Sequence, residues 1–236
     1  MKMREGASVP EKRLICIGGG ELKQRETLKI DEYIAALAKE RAGDRRACGL
    51  FLPTASHDCM PYYNTFHKVY TGTFQIKTDV ALIVNRDVDL QKMAQKFQKA
   101  DFLYVGGGNT VFMIEEWKKS GILPLIRDAY ERGVLICGLS AGAICWFEEM
   151  YSDSVEEGVY SEWKGLGWVE GKISPHYNER MLDFDRLVLY NKSRAWGVEN
   201  CSALEVVDGV PARSISCGGK VWRLDATSGE LQKTEF

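Results

Sequence analysis

The sequence predicts an α/β fold in which helices cover both faces of a mostly parallel central sheet. The main observation is that short apolar runs, typical of buried strands, alternate with longer runs of helical period. A second is that two glycine-rich loops directly follow such apolar runs, at the carboxyl ends of the predicted strands. A third is the tail from Ser202, where short runs broken by Asp-Gly, Gly-Gly and Ser-Gly turns predict antiparallel hairpins added to the core.

The predicted elements follow one another in a regular order. Each strand is short and apolar, and the helices carry apolar residues every three or four positions, with Gly43 and Gly121 as stops. The predicted strands are RLICI, ACGLFL, TDVALIVN, DFLYV and VLICG. The predicted helices are LKIDEYIAALAKERA, DVDLQKMAQKFQKA, VFMIEEWKKS, ILPLIRDAYER, AGAICWFEEM and MLDFDRLVLYNK.

Length and composition limit the classes of protein that fit. A chain of 236 residues with 45% hydrophobic content predicts one α/β domain over residues 1–236. The formal net charge of −2 suggests neither nucleic acid nor an anionic membrane as a partner. No apolar run has signal-peptide or transmembrane length, and seven cysteines without C-x-x-C pairs suit a reducing compartment. We therefore expect a cytoplasmic monomer or homodimer. Three histidines without clustered ligands argue against a histidine-rich metal site.

Ser140 is the first candidate catalytic residue. The segment Gly138-Leu139-Ser140-Ala141-Gly142 matches G-x-S-x-G, with a predicted strand before it and a predicted helix after it. A sharp turn between strand and helix strains the serine backbone, requires small neighbours and projects the hydroxyl above the sheet. The pattern favours a nucleophile over a plain structural turn.

The loop VGGGNT, residues 105–110, offers backbone donors near that serine. It also ends a predicted parallel strand, so both loops belong at the same edge of the sheet. An N–H group of Gly107 or Gly108, together with that of Ala141, could hold an oxyanion. The alternative is a phosphate cradle, although no G-K-[ST] or complete dinucleotide fingerprint follows. The first glycine loop, residues 18–20, is predicted to be a tight turn.

Serine needs a base to take its proton, and histidine is the usual one. The sequence offers His57, His67 and His176. His176, in GKISPHYNER, follows an apparent short strand and is the favoured base. His67 is predicted to lie on a helix face, and His57 could line the site without acting as the base.

The order VGGGNT, GLSAGA, SPHY and GVEN followed by SAL resembles the peptidase E family. This is the aspartyl dipeptidase and cyanophycinase group of serine peptidases, whose core is similar to class I glutamine amidotransferases. The resemblance covers most of the chain, and the combination is far more specific than any single motif. It implies that Ser140 is the nucleophile, that His176 is the base, and that Gly108 and Ala141 supply the oxyanion donors.

The third catalytic residue of the family is a glutamate in the turn before SAL, and here the sequence departs from the pattern. The family spacing from Gly197 falls on Asn200, while an acid lies one residue earlier, at Glu199. Glu199 is the predicted partner that orients His176, with Asn200 and Asp153 as the alternatives.

The resemblance also bears on substrate recognition. Arg180 aligns with an arginine of the aspartyl dipeptidases and is predicted, with Asn109 of the glycine loop, to bind substrate; a guanidinium suits a carboxylate. Other arginines found nearby in the dipeptidases are replaced by Asp183 and Asp185, which argues against a strict preference for aspartate.

The predicted function is that of a cofactor-independent serine peptidase acting on small peptides, possibly dipeptides with an N-terminal acidic residue. One alternative is a cyanophycinase-like isopeptidase. Another is an esterase or amidase of the α/β-hydrolase order, with Asp153 as its acid. A non-catalytic phosphate- or nucleotide-binding protein that uses both glycine loops is an alternative of a different class.

Overall fold

A computed structural model describes residues 10–156 and 158–236 of the chain. Within these ranges the backbone forms strands and α-helices in the order that an α/β protein requires. The strands are β1 Arg13–Ile17, β2 Cys48–Leu52, β3 Lys77–Val80, β4 Phe102–Val105, β5 Leu135–Leu139, β6 Phe147–Ser152, β7 Ser161–Lys164, β8 Val169–Ser174, β9 Arg194–Val198, β10 Ser202–Val207, β11 Val210–Ser216, β12 Val221–Asp225 and β13 Gln232–Glu235. The helices are α1 Leu28–Ala42, α2 Met60–Gly72, α3 Leu90–Lys99, α4 Thr110–Ser120, α5 Leu123–Glu131, α6 Ala141–Ile144 and α7 Tyr177–Tyr190.

The larger sheet has seven strands in the order β11-β10-β1-β5-β4-β2-β3. The strands from β1 to β3 in this order pair in parallel, whereas β10 runs antiparallel to β1 and β11 antiparallel to β10. The prediction of an α/β fold with a mostly parallel sheet and added antiparallel strands is confirmed. The closer likeness to class I glutamine amidotransferases stays a prediction.

Helices pack on both faces of this sheet because successive strand residues point to opposite sides. In β1, Leu14 and Cys16 join a buried cluster that includes residues of α3, α4 and α5. Ile15 and Ile17 join a second cluster that includes residues of α1 and α2. The strand that leads into the first glycine loop is therefore clamped from both sides, and its carboxyl end is held in place.

A second sheet of six strands, in the order β13-β12-β9-β8-β6-β7, was not predicted. The segment AGAICWFEEM was predicted to be one helix, but it contributes a strand to this second sheet. Helix α6 ends at Ile144, and strand β6 begins at Phe147. Cys145, Trp146 and Phe147 are all at most 1% exposed. A short run that is buried on every side gives no period that separates helix from strand.

The predicted strand TDVALIVN is also shorter than expected, since β3 ends at Val80. Beyond it, the N–H groups of Ile83 and Val84 donate to one carboxylate oxygen of Asp58, at 2.7 and 2.8 Å. A side chain thus takes the place of a neighbouring strand as their hydrogen-bond partner. Among the helices of the described residues, none combines the length and apolar character needed to cross a bilayer.

A buried carboxyl joins the first two helices. Asp31 is 1% exposed and accepts hydrogen bonds from the Thr27 hydroxyl at 2.7 Å and the Tyr70 hydroxyl at 2.8 Å. Burial raises the pKa of Asp31 to about 6, against the opposing effect of the two hydrogen bonds. The native state therefore holds this proton at a pH where the unfolded chain has released it.

We expect Asp31→Asn to stabilise the protein at pH 8. Between an unfolded pKa near 3.8 and a folded pKa of about 6, stability falls as pH rises, because the native state binds the extra proton. The asparagine removes this loss and can still bond both hydroxyls, for a gain of up to about 3 kcal/mol. Urea unfolding at pH 4 and pH 8 measures it: the two proteins should match more closely at pH 4, and an equal difference at both values would contradict the assignment.

Candidate active site

Ser140 lies in the turn between β5 and α6, in an unusual backbone conformation. Its φ of 52° and ψ of −107° lie outside the regions that residues with a side chain favour. Its N–H donates to the carbonyl of Ile17 at 2.9 Å, which ties the turn to the end of β1. The turn is thus held in a strained form that the neighbouring strand supports.

The two glycines of G-x-S-x-G are required by close backbone packing. A Cβ at Gly138 would lie 2.3 Å from the carbonyl oxygen of Gly142. A Cβ at Gly142 would lie 2.3 Å from the carbonyl oxygen of Val105, at the end of β4. Any side chain at either position would therefore push the serine turn away from the sheet.

His176 contacts the serine hydroxyl directly. Its Nε2 lies 2.9 Å from Ser140 Oγ, a hydrogen-bond distance. His176 follows β8 and precedes α7, with φ 47° and ψ 38° in the left-handed region. The structure therefore brings together the serine and the histidine that the sequence singled out.

The first glycine loop anchors the site. Three successive carbonyl oxygens, of residues 17, 18 and 19, accept hydrogen bonds from the N–H groups of Ser140, His176 and Cys201, at 2.9, 2.9 and 3.0 Å. These donors belong to three chain segments that are distant in sequence. The loop was predicted only to be a tight turn. Its hydrogen bonds fix the positions of these three segments relative to one another.

Asn200, and not Glu199, is the side chain bonded to the other nitrogen of His176. The Asn200 Oδ1 lies 2.6 Å from His176 Nδ1. The prediction that Glu199 orients His176 by contact with the imidazole is wrong. The residue that the family spacing from Gly197 indicates is the one in place.

Glu199 is held on the other side of the turn. Its carboxylate accepts from the Lys220 N–H at 2.9 Å and from the Trp222 indole N–H at 2.8 Å. Its own N–H donates to the carbonyl of Lys220 at 3.0 Å. Glu199 directly follows β9, and Asn200 lies in the turn that leads to β10. The Glu199 carboxylate faces Lys220 and Trp222, while the Asn200 side chain faces the histidine.

Two further polar residues bond Asn200, namely Asn178 and Glu179, and neither was predicted to belong to the site. The Asn200 amide nitrogen lies 2.5 Å from Glu179 Oε1, and the Asn200 N–H donates to Asn178 Oδ1 at 2.9 Å. Both belong to the first turn of α7, immediately after His176. Their adjacency in PHYNER was the available signal.

The other candidates for the base or its partner lie elsewhere. The His57 ring packs against Phe112, with centroids 4.1 Å apart, and His67 bonds Thr78 Oγ1 at 2.6 Å. The Asp153 carboxylate accepts from the Gly158 N–H at 3.3 Å. None of these contacts reaches the pair of Ser140 and His176.

The second glycine loop lies beside Ser140. A Cβ at Gly107 would lie 3.5 Å from the Ser140 Cβ, and the Gly107 N–H donates to the Tyr62 hydroxyl at 3.3 Å. Gly108 has φ 136°, and a Cβ there would lie 2.2 Å from the carbonyl oxygen of Ala55. Only glycine fits at position 108, so its N–H can be presented without a side chain above it.

Asn109 has a structural role in the fold. Its Oδ1 accepts from the Phe112 N–H at 2.9 Å and caps α4, and its Nδ2 donates to the Ser154 carbonyl at 2.5 Å. Both ends of the amide are thus engaged within the protein. The geometry does not support the predicted contact of Asn109 with substrate.

Ser140 and His176 open into a pocket of about 500 Å³. Charged groups at its wall are Glu21 and Lys23, both exposed and both absent from the sequence predictions. The remaining lining comes from the glycine loops, from the first turns of α2 and from the serine turn: Gly20, Leu22, Pro61, Tyr62, Thr65, Gly107, Gly108 and Leu139. The pocket is large enough for a small peptide.

Arg180, one turn into α7, is outside that lining but close to His176. Its guanidinium carbon lies 4.3 Å from the centre of the Tyr160 ring, and Nη1 donates to the Tyr151 carbonyl over 3.4 Å. Its buried Nε has no hydrogen-bond partner among the described residues. The side chain therefore has donor capacity that the fold does not use.

The electrostatic environment favours the neutral imidazole. Burial lowers the pKa of His176 below its ordinary value, and the positive charge of Arg180 lowers it further. The Asn200 hydrogen bond and the negative charges of Glu179 and Asp153 act in the opposite direction. A neutral imidazole can accept a proton, so the pair has the chemistry of a serine nucleophile and its base.

The fold and site together define a serine hydrolase of α/β architecture. The model of peptidase family S51 matches residues 14–211, which contain Ser140, His176 and Asn200. The chain belongs to peptidase family S51, and it is a serine-type peptidase.

Individual relatives support this assignment. The chain is 36% identical over 228 residues to the uncharacterized peptidase YgaJ of Bacillus subtilis, covering 93% of this chain and 95% of that protein. It is 27% identical to peptidase E of Salmonella arizonae over 48% of this chain and 47% of that one. The structure of a peptidase from an acI-B1 actinobacterium superposes with a TM-score of 0.69, covering 95% and 97% of the two chains at 17% identity, which shows the shared fold.

Proposed function

We propose that this peptidase hydrolyses small peptides, including dipeptides with an N-terminal acidic residue, through an acyl-enzyme on Ser140. The observation that carries the proposal is the 2.9 Å contact between His176 Nε2 and Ser140 Oγ at the wall of a 500 Å³ pocket. His176 takes the hydroxyl proton while Oγ attacks the scissile carbonyl carbon. The catalytic set is Ser140, His176 and Asn200, and Glu199 is not part of it.

Two backbone groups are proposed to hold the oxyanion. The N–H groups of Gly108 and Ala141 make no hydrogen bond to another backbone or side-chain group in the described part of the chain, whereas that of Gly107 is engaged by Tyr62. Each such donor is worth about 3 kcal/mol in the transition state. The choice of Gly108 over Gly107 follows from this difference.

The reaction then proceeds in two halves. The imidazolium gives its proton to the leaving amine as the C–N bond breaks, which leaves the acyl group on Oγ. Water replaces the amine, His176 removes its proton, and the acyl–oxygen bond of the ester breaks to release the acid and regenerate the serine. Apart from the water that is consumed, each of these steps uses groups of this chain. The described residues contain no cluster of three or more side chains that could hold a metal ion.

An acidic N-terminal residue would be recognised by a cation near the pocket. Arg180 has an unused buried donor and is our proposed partner for the substrate carboxylate. Lys23 lies in the pocket wall itself and is the rival candidate. Arg180→Gln should raise KM for Asp-Leu more than for Ala-Leu. If only Lys23→Gln shows this selective rise, Lys23 and not Arg180 binds the substrate carboxylate.

A fluorophosphonate label and a panel of X-Leu dipeptides test the function. We expect one adduct, on Ser140, and hydrolysis that is fastest when X is acidic. The absence of both an adduct and dipeptide turnover, together with thermal stabilisation by a nucleotide, would show that the proposal is wrong.

The pH dependence of kcat/KM tests the base. Because the pKa of His176 is lowered, the imidazole stays neutral into mildly acidic solution. We expect activity to fall on the acid side with a midpoint below 6.5, the ordinary value for histidine. A midpoint above 6.5 would mean that the environment stabilises the charged imidazolium, contrary to the burial seen here.

A further inference from the structure

We infer that Glu179 is a positioning residue that sets the direction of the hydrogen-bond chain through Asn200 and so holds His176 in the tautomer able to deprotonate Ser140. The inference rests on the proposed function of Ser140 and His176. It starts from two contacts, Asn200 Nδ2 to Glu179 Oε1 at 2.5 Å and Asn200 Oδ1 to His176 Nδ1 at 2.6 Å.

The direction of this series of hydrogen bonds follows from what each group can donate or accept. An ionised carboxylate only accepts, so Glu179 must face the NH₂ end of the Asn200 amide. The oxygen end then faces His176, and because it can only accept, Nδ1 must carry the proton. Nε2 is left with a lone pair, which accepts the proton of the Ser140 hydroxyl.

Asn200 could not impose this order alone. An amide has a donor end and an acceptor end of nearly the same shape, and a half-turn of the group exchanges them. With NH₂ toward the ring, Nδ1 would accept and the proton would move to Nε2, where it would point at Ser140 and disable the base. A carboxylate in direct contact with the ring has no such ambiguity, and here the carboxylate stands one residue further along the chain of bonds.

The surroundings favour this arrangement. Asn178 bonds the backbone N–H of Asn200, so the first turn of α7 holds both the main chain and the amide of that residue. Other charges near the imidazole are Arg180 and Asp153, and neither bonds the Asn200 amide. Glu179 is itself exposed, so its charge is partly screened by solvent and salt.

The test uses two variants in which the substituted side chains keep their size and shape. Glu179→Gln can offer either an oxygen or an NH₂ group to Asn200, so the direction is no longer set. We expect kcat to fall about threefold to tenfold, since the position is exposed. The double variant Glu179→Gln with Asn200→Asp moves the carboxylate next to the ring in an isosteric side chain and should restore the rate. Glu40→Gln, an exposed glutamate at the end of α1, is the matched control and should leave the rate unchanged.

Two readouts respond to positioning and not to loss of structure. Imidazole ¹⁵N shifts report which nitrogen carries the proton, and the chain has only three histidines, which single His→Gln variants at 57 and 67 would assign. We expect the Nδ1–H form in the wild type and the double variant, and a mixture in Glu179→Gln. The acid midpoint of kcat/KM should also move to lower pH in Glu179→Gln and to higher pH in the double variant.

The outcomes separate this inference from the function on which it rests. Full activity in Ser140→Ala would overturn the proposed function. An inactive Ser140→Ala together with a wild-type rate in Glu179→Gln would overturn the role of Glu179 alone. A slower Glu179→Gln enzyme with an unchanged tautomer and no rescue by Asn200→Asp would do the same.

Discussion

Replacing Ser140 by alanine is expected to lower kcat by about 10⁴- to 10⁶-fold, since the attacking oxygen is lost while the pocket and backbone donors remain. The fold should be unaffected. The Ser140 side chain does not cap α6, and among the described residues its hydroxyl bonds His176. Alanine meets the same backbone strain at φ 52° as serine does.

Dipeptide hydrolysis and thermal unfolding of the two proteins measure this prediction. Ser228→Ala, in an exposed turn after β12, serves as the control and should keep wild-type turnover. If Ser140→Ala, free of contaminating peptidase, had a turnover comparable to that of the wild type, Ser140 would not be the nucleophile.

Gly19→Ala should cost about 10²-fold in kcat although residue 19 takes no part in the chemistry. A Cβ there would lie 2.0 Å from Asn200 Oδ1 and 2.5 Å from His176 Nδ1, so both side chains must move. Because φ at Gly19 is not in the left-handed region, alanine adds no backbone strain, and the effect is steric.

Gly72→Ala is the matched control for this substitution. Gly72 is at the end of α2, and a Cβ there would meet no atom within 4 Å. It should keep full activity. We expect Gly19→Ala to remain folded, because the displaced atoms belong to side chains. Wild-type kcat in a folded Gly19→Ala protein would show that the histidine and asparagine tolerate displacement.

Much of the fold could be predicted from the sequence because period and turn chemistry are local properties. The helix Leu28–Ala42 and its stop at Gly43 follow from apolar spacing and a glycine. The segment after Ile144 could not be predicted, since Cys145, Trp146 and Phe147 are all buried and the identity of strand β6 depends on pairing with β7 and β8. The local pattern of a segment does not show which distant segment of the chain it pairs with.

The same distinction applies to the site. Ser140 and His176 were predictable because one sits in a motif with a steric cause and the other is one of three histidines. The partner of His176 depended on which way two adjacent side chains point in one turn. The family spacing from Gly197 indicated Asn200, whereas the preference for a charged partner indicated Glu199. In the structure the Glu199 carboxylate is bonded to Lys220 and Trp222, and Asn200 faces the histidine.

The three carbonyl groups of residues 17–19 have a consequence for how activity appears during synthesis and refolding. Their partners run from Ser140 to Cys201, so these carbonyl groups are synthesised well before the N–H groups that donate to them. Contacts of such long sequence separation form slowly, because the entropy of loop closure is lost before these contacts stabilise the chain. We therefore expect a nascent chain that has not yet emerged past β10 to show no turnover. We also expect the recovery of turnover after dilution from urea to report the completion of folding.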